Sequence, residues 1–358
     1  MNSKFKGEYS GTKNVSERHE IDQNKLQEFL NDKLENFGDI KSIEEFVGGQ
    51  SNPTYLLKTQ RESYVLRRKP PGKLLKSAHA VDREYKVIAA LNKTDVPVPK
   101  AYIHCEDESV IGTEFFLMSF VDGEVMWEPH IPQASNEERQ KIYHSMNETI
   151  AMLHSVVHES IGLETFGKPG NYVGRQVARW SKQYVASETR EIKSMNNLME
   201  WLPKNIPSNT QSVVVHGDYR LGNVLIHPTE PKIVGVLDWE LSTLGDGLAD
   251  LGYLCQDYYG DPDSDVGIAG INYESLGIPT EEQLVAEYCK HSGRQEIEDW
   301  PFYVIYNMFR SAGIIQGVYK RGLDGNASSQ TALEYADVAR LRSERGWALA
   351  EEFISSKA

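Results

Sequence analysis

Residues 213–240 read VVVHGDYRLGNVLIHPTEPKIVGVLDWE, and this stretch divides into an apolar strand, a polar loop and a hairpin. The strand ends at Val215, and the loop that follows carries Asp218 near its tip. Two further apolar runs, with a proline-containing turn between them, predict a β-hairpin. The hairpin begins at Asn223 and ends at Asp238, so we expect it to bring these two residues together.

The amide oxygen of an asparagine and the carboxylate of an aspartate, placed side by side, form a hard oxygen site of the kind that suits Mg²⁺. Asn223 and Asp238 are therefore the predicted metal ligands. Asp218 lies five residues before Asn223, where it can face an incoming hydroxyl group. Phosphoryl transfer needs positioning, charge neutralisation by a metal and a carboxylate that accepts the alcohol proton. Asp218 is therefore the predicted catalytic residue.

The alternative interpretation of this stretch is a turn-rich loop that carries acidic residues by chance. The pair of His216 and Asp218, taken alone, would favour that alternative. The complete spacing of Asp218, Asn223 and Asp238 between predicted strands favours a catalytic site instead.

The chain has 358 residues, more than one hydrophobic core usually covers, which predicts two lobes. The first third has the strand-and-turn pattern of an antiparallel sheet with one helix at residues 81–91; its predicted strands are residues 42–47, 54–58, 64–67 and 114–121. Helical spacing dominates elsewhere, in residues 24–36, 137–157, 175–201, 281–291, 300–319 and 331–354. We predict an α+β fold that comprises a flexible N-terminus, an N-lobe and a helical C-lobe with a hinge near residues 118–123, with bounds 1–20, 21–120 and 121–358.

The pattern His-x-Asp-x-x-x-x-Asn, followed by the triplet at residues 237–239, resembles the catalytic and metal loops of the protein-kinase-like fold. His-Gly-Asp at residues 216–218 and Asp-Trp-Glu at residues 238–240 are similar to the aminoglycoside phosphotransferase and choline kinase branch. Within that branch, residues 48–55, 66–73, 237–243 and 309–322 most resemble the kinase-like domains joined to acyl-CoA dehydrogenases in family members ten and eleven. The resemblance covers roughly residues 40–320.

This resemblance implies ATP and Mg²⁺ as cofactors and a hydroxyl group of a small molecule as the phosphoryl acceptor. The acceptor that the subgroup suggests is a hydroxyacyl-CoA or another hydroxylated metabolite. Two alternatives stay open, namely an aminoglycoside phosphotransferase and a non-catalytic nucleotide-binding module. In related folds the histidine of the motif has a structural role, so we expect His216 to brace its loop. Asp250 is expected to anchor the same loop, and Asp246 is placed outside the catalytic set.

The N-lobe is expected to bind the nucleotide through a loop and a cation. The loop at residues 48–52 lies between two strands, and its residues Gly49, Ser51 and Asn52 could hold phosphates, although a plain hairpin turn is the alternative. By comparison with kinases, Arg67 takes the place of the phosphate-binding lysine, and an arginine can hold phosphate in the same role. Arg68 takes over if the strand register slips by one residue.

Three further residues complete the predicted nucleotide site. Glu84 is the expected helix partner of Arg67, with a solvated helix charge as the alternative. The backbone of Met118 and Phe120 is expected to read the adenine edge, and the same residues also fit a buried strand.

Two other groups of residues have a functional and a structural interpretation. The first matches subgroup positions and lines a substrate pocket or packs between helices: Tyr172, Arg175, Trp180 and Arg310. The second is a basic cluster that suits a phosphate-bearing substrate or is a solvated loop: Arg67, Arg68, Lys69, Lys73 and Lys76.

Composition limits the partners of the protein. The formal net charge is −14, with 38 Lys and Arg against 52 Asp and Glu, which argues against nucleic-acid binding through a basic surface. The first 20 residues have no apolar core and the sequence has no run of 18 apolar residues, so neither a secretory leader nor a membrane span is expected. A cytoplasmic location is predicted. The three cysteines lack the spacing of a zinc site or disulfide framework. The oligomeric state is not predicted.

Overall fold

The computed structural model describes residues 11–47, 52–71, 80–208, 211–261, 267–326 and 331–357. A six-stranded antiparallel sheet is followed by a mostly helical region, which confirms the predicted α+β class. Within the described ranges, no helix is both long enough and apolar enough to cross a membrane.

The strands form one large sheet and two small ones. The large sheet consists of β1 (Thr12–Asn14), β2 (Ile40–Phe46), β3 (Thr54–Thr59), β4 (Ser63–Arg68), β5 (Ala101–Cys105) and β6 (Phe115–Ser119). Its order is β1-β2-β3-β4-β6-β5, with antiparallel neighbours throughout. The small sheets pair β7 (Val213–Val215) with β10 (Thr243–Gly245), and β8 (Val224–Ile226) with β9 (Ile233–Val236).

The helices are α1 (Gln23–Lys33), α2 (Val81–Leu91), α3 (Glu108–Ile111), α4 (Asn136–His154), α5 (Tyr172–Ser187), α6 (Lys193–Trp201), α7 (Gly247–Cys255), α8 (Tyr273–Leu276), α9 (Glu281–Ser292), α10 (Trp300–Leu323) and α11 (Val338–Lys357). Helix α4 begins with a reciprocal capping box between Ser135 and Glu138. Helix α9 begins in the same way, with Thr280 and Gln283. The caps satisfy backbone N–H groups that the first helical turn leaves without partners, so both helices start at defined positions.

The two faces of the large sheet are covered by different helices. On one face, Leu66 of β4 belongs to an apolar cluster with Leu26 of α1. On the other face, Val65 belongs to the main core, together with Val87 of α2. Because side chains alternate along a strand, consecutive residues of β4 reach opposite layers of the molecule.

Residues 11–20 of the predicted flexible N-terminus lie against the large sheet. Residues 12–14 form β1 and pair with β2, with Thr12 opposite Phe46. The carboxylate of Glu45 accepts hydrogen bonds from the backbone and the hydroxyl group of Ser16, both at 3.1 Å, and lies 3.0 Å from His19. Val15 of the same segment packs against the apolar cluster that contains Leu26, so polar and apolar contacts together hold the segment on the sheet.

The predicted helix at residues 175–201 is two helices, α5 and α6, in the structure. Helix α5 ends where Glu188 adopts an extended conformation, with φ −60° and ψ 130°. Gln316 of α10 then donates to the carbonyl oxygen of Ser187 at 2.8 Å and to the hydroxyl group of Thr189 at 3.1 Å. A contact from a distant helix therefore stabilises the break. The apolar periodicity of residues 175–201 does not predict it.

Residues 120–124 connect the large sheet to the helical region. Glu124 exchanges two backbone hydrogen bonds with Ile226 of β8, at 2.8 and 2.9 Å. Val236 of β9 donates to the carbonyl oxygen of Pro97 at 2.8 Å. The hairpin of β8 and β9 is therefore hydrogen-bonded both to the connection and to the segment before β5. The division into lobes at residue 120 stays a prediction.

Candidate active site

The hairpin of β8 and β9 brings Asn223 next to the residue before Asp238. Val224 pairs with Val236, and the N–H group of Leu237 donates to the carbonyl oxygen of Asn223 at 2.9 Å. The backbone return expected from the sequence is therefore present. The two predicted metal ligands stand at the open end of the same hairpin.

Asp238 has an unusual backbone conformation. Its φ and ψ are 65° and 58°, in the left-handed region that non-glycine residues rarely occupy. The next residue, Trp239, is buried and donates from its indole N–H group to the carbonyl oxygen of Val236 at 2.9 Å. This anchored tryptophan helps to hold Asp238 in its conformation. Strained backbone of this kind is concentrated at functional sites.

The loop between β7 and β8 places Asp218 beside Asn223. The side-chain amide of Asn223 donates to the carboxylate and to the carbonyl oxygen of Asp218, both at 2.8 Å. Gly217 precedes them with a φ of 85°, and a Cβ atom there would lie 2.7 Å from the carbonyl oxygen of Leu241. The sharp turn at Gly217 therefore requires glycine. Two of the three predicted chemical groups are in direct contact.

His216 joins this loop to the segment that leads from β9 to Asp238. Its Nδ1 atom accepts the N–H group of Asp218 at 3.2 Å, and its Nε2 atom lies 2.8 Å from the carbonyl oxygen of Leu237. These contacts assign the proton of the neutral ring to Nε2, because the carbonyl oxygen can only accept. The imidazole thereby connects the Asp218 loop with the residue before Asp238.

Asp250 of α7 anchors the same loop from below. Its carboxylate accepts the N–H groups of His216 and Gly217, at 2.5 and 2.8 Å, and lies 3.4 Å from His154. Burial opposes the ionisation of Asp250, but the contacts with His154, His216 and Gly217 outweigh it and lower the pKa of the carboxyl group. Asp246 caps α7 through the N–H group of Leu248 at 3.1 Å. Both aspartates therefore hold the scaffold of the site.

Arg67 extends from the large sheet to the hairpin. Its guanidinium lies 2.9 Å from Glu84 of α2 and 2.7 Å from Asp238, with Glu240 at 3.9 Å. Burial works against the charge of Arg67, but the three carboxylates outweigh it and raise the pKa of the guanidinium. Burial raises the pKa of Glu84 to about 7, against the opposing effect of Arg67. The predicted pair of Arg67 and Glu84 is present.

Arg68 points to the opposite side of the sheet. Its guanidinium donates to the carbonyl oxygen of Ile111 at 3.3 Å and lies 5.6 Å from the centre of the Tyr55 ring. Arg67, by contrast, shares the face of Val65 and contacts Asp238. Of the two arginines that the sequence left open, Arg67 is the one beside the hairpin.

The other predicted nucleotide-binding residues have mixed outcomes. Gly49 and Ser51 lie outside the described residues, while Asn52 is fully buried and its carbonyl oxygen accepts from Thr54 at 3.0 Å. Met118 is buried in β6, with its backbone between Val65 and Ala101. The N–H group of Phe120 donates to Ser63 at 3.3 Å. Met118 therefore lies in a buried strand, Phe120 begins the connection to the helical region, and their contact with adenine stays a prediction.

The basic cluster does not form one surface in the described residues. Lys69 is paired with Glu114, which also lies 2.8 Å from His104. Lys73 and Lys76 lie outside the described residues. Lys69, Arg67 and Arg68 each contact a different acceptor.

Three residues near Asp218 were not assigned to the site from the sequence. Arg220 lies 3.8 Å from the carboxylate of Asp218, and its guanidinium is 5.2 Å from the centre of the Trp127 ring. Burial raises the pKa of the hydroxyl group of Tyr253, in α7, and the charge of the nearby Asp218 adds to this effect. Arg220 lies within the motif, so its position could have assigned it to the site. Trp127 and Tyr253 lie outside the motif, and no sequence pattern assigns them to the site.

The four residues of the suggested substrate pocket lie in three places. Arg310 of α10 donates to the carbonyl oxygen of Gly217 and lies 4.7 Å from the ring of Tyr253. Trp180 is next to it, at 5.8 Å from the guanidinium, while Tyr172 packs against Gly245. Arg175 instead donates to the carbonyl oxygen of Lys168 at 2.5 Å. Arg310 and Trp180 thus lie near the Asp218 loop, and Arg175 holds a separate loop.

The site combines oxygen donors with three cations. Asp218, Asn223 and Asp238 offer carboxylate and amide oxygens, a donor set that suits a hard divalent ion. Arg67 approaches from the sheet, and Arg220 and Arg310 approach from the helical region. Such an arrangement can bind phosphate groups, neutralise their charge and leave one carboxylate for proton transfer.

Comparison with known proteins supports this interpretation. Residues 42–300 match the family model described as "Phosphotransferase enzyme family". Acyl-CoA dehydrogenase family member 10 of Mus musculus is 41% identical over 340 residues, which are 94% of this chain and 32% of that protein. Family member 11 of Homo sapiens is 40% identical over 348 residues, which are 96% and 45% of the two chains. The chain therefore spans less than half the length of these relatives.

Solved structures place the chain in the kinase-like fold. A structure from Ralstonia eutropha JMP134, provisionally named an aminoglycoside phosphotransferase, has a TM-score of 0.86 and 47% identity and covers 93% of this chain and 99% of that chain. A choline kinase from Cryptosporidium parvum Iowa II has a TM-score of 0.64 at 12% identity, covering 94% and 97%. Spectinomycin phosphotransferase, in complex with ADP and spectinomycin, has a TM-score of 0.62 at 14% identity, covering 92% and 99%. The last two comparisons establish the fold alone.

These comparisons confirm the family resemblance and the kinase-like fold predicted from the motifs. The matched region contains Arg67, Asp218, Asn223 and Asp238. The chain belongs to the phosphotransferase enzyme family.

Proposed function

We propose that this protein is an ATP- and Mg²⁺-dependent phosphotransferase that acts on a hydroxyl group of a small molecule. The observation that carries the proposal is the arrangement of Asp218, Asn223 and Asp238. Asn223 contacts Asp218 at 2.8 Å, and the same hairpin ends at Asp238. Arg67 reaches this hairpin from the large sheet at 2.7 Å. The residues proposed as metal ligands and base come from one stretch of the chain, and the proposed phosphate cation, Arg67, joins them from the large sheet.

In the proposed mechanism, each residue has a separate role. Asn223 and Asp238 hold the metal, and Arg67 neutralises phosphate charge. A bound Mg²⁺ supplies charge neutralisation at the transferring phosphoryl group. Asp218 orients the acceptor hydroxyl group and accepts its proton. Asn223 has a second role, because its amide fixes the carboxylate of Asp218 through the 2.8 Å hydrogen bond.

The charges around Asp218 support an anionic acceptor. Arg220 lies 3.8 Å from its carboxylate, and the buried Arg310 contacts the preceding residue, Gly217. Both arginines can attract phosphate or carboxylate groups of an acceptor. Trp127 and Tyr253 beside the arginines add flat apolar surface.

We therefore propose a hydroxyacyl-CoA as the acceptor, since a coenzyme A thioester carries both phosphates and an acyl chain. The names of the relatives that match this chain, acyl-CoA dehydrogenase family members 10 and 11, are consistent with that substrate class. An aminoglycoside is the second candidate, because the Ralstonia eutropha structure with 47% identity carries that name.

The acceptor is tested by measuring ADP release with ATP, Mg²⁺ and a panel of hydroxyacyl-CoAs, choline, sugars and aminoglycosides. We expect a hydroxyacyl-CoA to stimulate ADP release and to yield a phosphorylated product in mass spectrometry. The matched control is the acyl-CoA of equal chain length without the hydroxyl group, which should bind without turnover. If only aminoglycosides stimulated ADP release, the acceptor would be an aminoglycoside and not a hydroxyacyl-CoA. ATP binding without stimulation by any compound would favour a non-catalytic nucleotide-binding module.

A further inference from the structure

Three side chains with metal-binding atoms meet on the outer side of the helical region, where α4 contacts α9. They are His144 of α4 and Glu287 and His291 of α9. One ligand atom from each residue lies within 4.8 Å of those of the other two. None of the three takes part in the candidate active site. We refer to them as the α4–α9 cluster.

The carboxylate of Glu287 lies between the two imidazoles. It contacts Nδ1 of His144, and Nε2 of His291 lies 3.8 Å from the same oxygen atom. The two rings are 5.6 Å apart with an interplanar angle of 64°. Glu287 and His291 are four residues apart on one helix, a spacing that places both side chains on one face.

The backbone around the cluster is held in place by a buried contact. Asn147, on α4, donates to the carbonyl oxygen of Leu284, on α9, at 2.6 Å. Both residues are fully buried, so this hydrogen bond sets the separation of the helices beneath the cluster. Side chains on two fixed helices can therefore converge on one ion without rearrangement of the backbone.

The donor set matches zinc. Two imidazole nitrogens and one carboxylate oxygen are the ligands of many Zn²⁺ sites with three protein ligands, and the fourth position is then open. Tetrahedral bonds of about 2.1 Å separate neighbouring ligand atoms by about 3.4 Å. The ligand atoms of the cluster lie within 4.8 Å of one another. The side chains of His144 and His291 are 52% and 25% exposed, so they can rotate to reach the spacing that a bound ion requires.

The surface beside the cluster has room for a fourth ligand. A groove of about 360 Å³ adjoins it and is lined by His144 and Glu287 together with Gln140, Lys141, Pro279 and Gln283. The charge of Lys141 is paired with Glu137 at 2.6 Å. Water or a small anion in this groove can complete the coordination of an ion.

We propose that His144, Glu287 and His291 form a Zn²⁺ site whose fourth position opens to this groove. The site is separate in chemistry from the proposed Mg²⁺ site, because imidazole nitrogen favours zinc and carboxylate and amide oxygens favour magnesium. The competing explanation is a pair of surface ion contacts between histidine and glutamate, which contribute little to stability and bind no metal.

A metal at the α4–α9 cluster would also support the candidate active site. Ser145 follows His144 and accepts the N–H group of Ile233, in β9, at 2.9 Å. The carbonyl oxygen of Met146 accepts the hydroxyl group of Tyr219, in the Asp218 loop, at 2.8 Å. A metal bridge from α4 to α9 therefore stabilises the helix that carries both contacts, and we expect Zn²⁺ to raise the Tm.

The test is a competition titration of Zn²⁺ between a chromophoric chelator and the untagged full chain. Millimolar Mg²⁺ in the buffer occupies oxygen sites without competing for imidazoles. We expect one equivalent of Zn²⁺ to bind, and His144→Ala and His291→Ala each to weaken binding at least ~10-fold. Thermal unfolding supplies a second readout, since Zn²⁺ should raise the Tm of the wild type but not of these variants.

The matched control is His130→Ala, which removes another partly exposed histidine that lies 3.0 Å from a glutamate, Glu128. This variant should bind Zn²⁺ as the wild type does. Equal Zn²⁺ affinity of the wild type and the His144→Ala, His291→Ala double variant would refute the site. All substituted histidines are partly exposed, so circular dichroism should give the wild-type spectrum for every variant.

Discussion

Replacement of Asp218 with asparagine is expected to reduce turnover by about 10²–10⁴-fold, the usual contribution of a positioned general base. The substitution keeps an oxygen atom that can accept the hydrogen bond from Asn223, so the loop should retain its shape. It removes the group that accepts the proton of the acceptor hydroxyl group. The Kd for Mg-ATP, measured by calorimetry, should stay close to that of the wild type.

Asp32→Ala is the control for Asp218→Asn. Asp32 is an exposed aspartate on α1, 2.9 Å from Lys33 and outside the candidate site. We expect this control to retain wild-type kcat. If Asp218→Asn turned over at the wild-type rate, Asp218 would not be the base. If it lost both turnover and Mg-ATP affinity, Asp218 would instead belong to the metal site.

Replacement of Asp238 with asparagine is expected to weaken the binding of ATP mainly when Mg²⁺ is present. The carboxylate is the charged member of the proposed metal pair, and a carboxylate is a strong ligand for this hard cation. Loss of that charge should raise the Kd for Mg-ATP at least ~10-fold, in the range found for damaged metal sites. The affinity for ATP in EDTA should change much less.

The comparison of the two conditions separates metal binding from phosphate binding. Arg67 loses a partner at 2.7 Å in Asp238→Asn but keeps Glu84 at 2.9 Å, so its position on the sheet should be retained. Calorimetric titrations with Mg²⁺ and with EDTA provide the readout. An equal loss of affinity in both conditions would show that Asp238 acts through Arg67 rather than through a metal.

The hairpin was predictable because all of its information is local. Asn223 and Asp238 are joined by two short apolar runs and one turn, and this pattern has few alternative structures. The choice between Arg67 and Arg68 was not local in the same way. Alternation places them on opposite faces, but only the packing of β4 between α1 and α2 identifies the face that meets Asp238.

The contacts that escaped prediction join residues distant in sequence. Tyr253 of α7 lies near Asp218, and Arg310 of α10, which the sequence left open between a substrate pocket and helix packing, donates to Gly217. No spacing rule relates helix residues to a loop so far away in the chain. The break between α5 and α6 is stabilised by Gln316 of α10. The hydrogen bonds of Ser16 with Glu45 join two segments that are 29 residues apart, and no local pattern indicates them.

The central claim is that Asn223 and Asp238 hold a divalent ion on the phosphates of ATP while Asp218 stays free for the acceptor. The most direct test is a crystal structure with Mn²⁺ and a non-hydrolysable ATP analogue, in which anomalous scattering locates the metal. We predict a peak in contact with Asn223 and Asp238, with Arg67 bound to phosphate and Asp218 beyond ligand distance. A nucleotide bound away from the hairpin, or a metal that contacts neither residue, would contradict the claim.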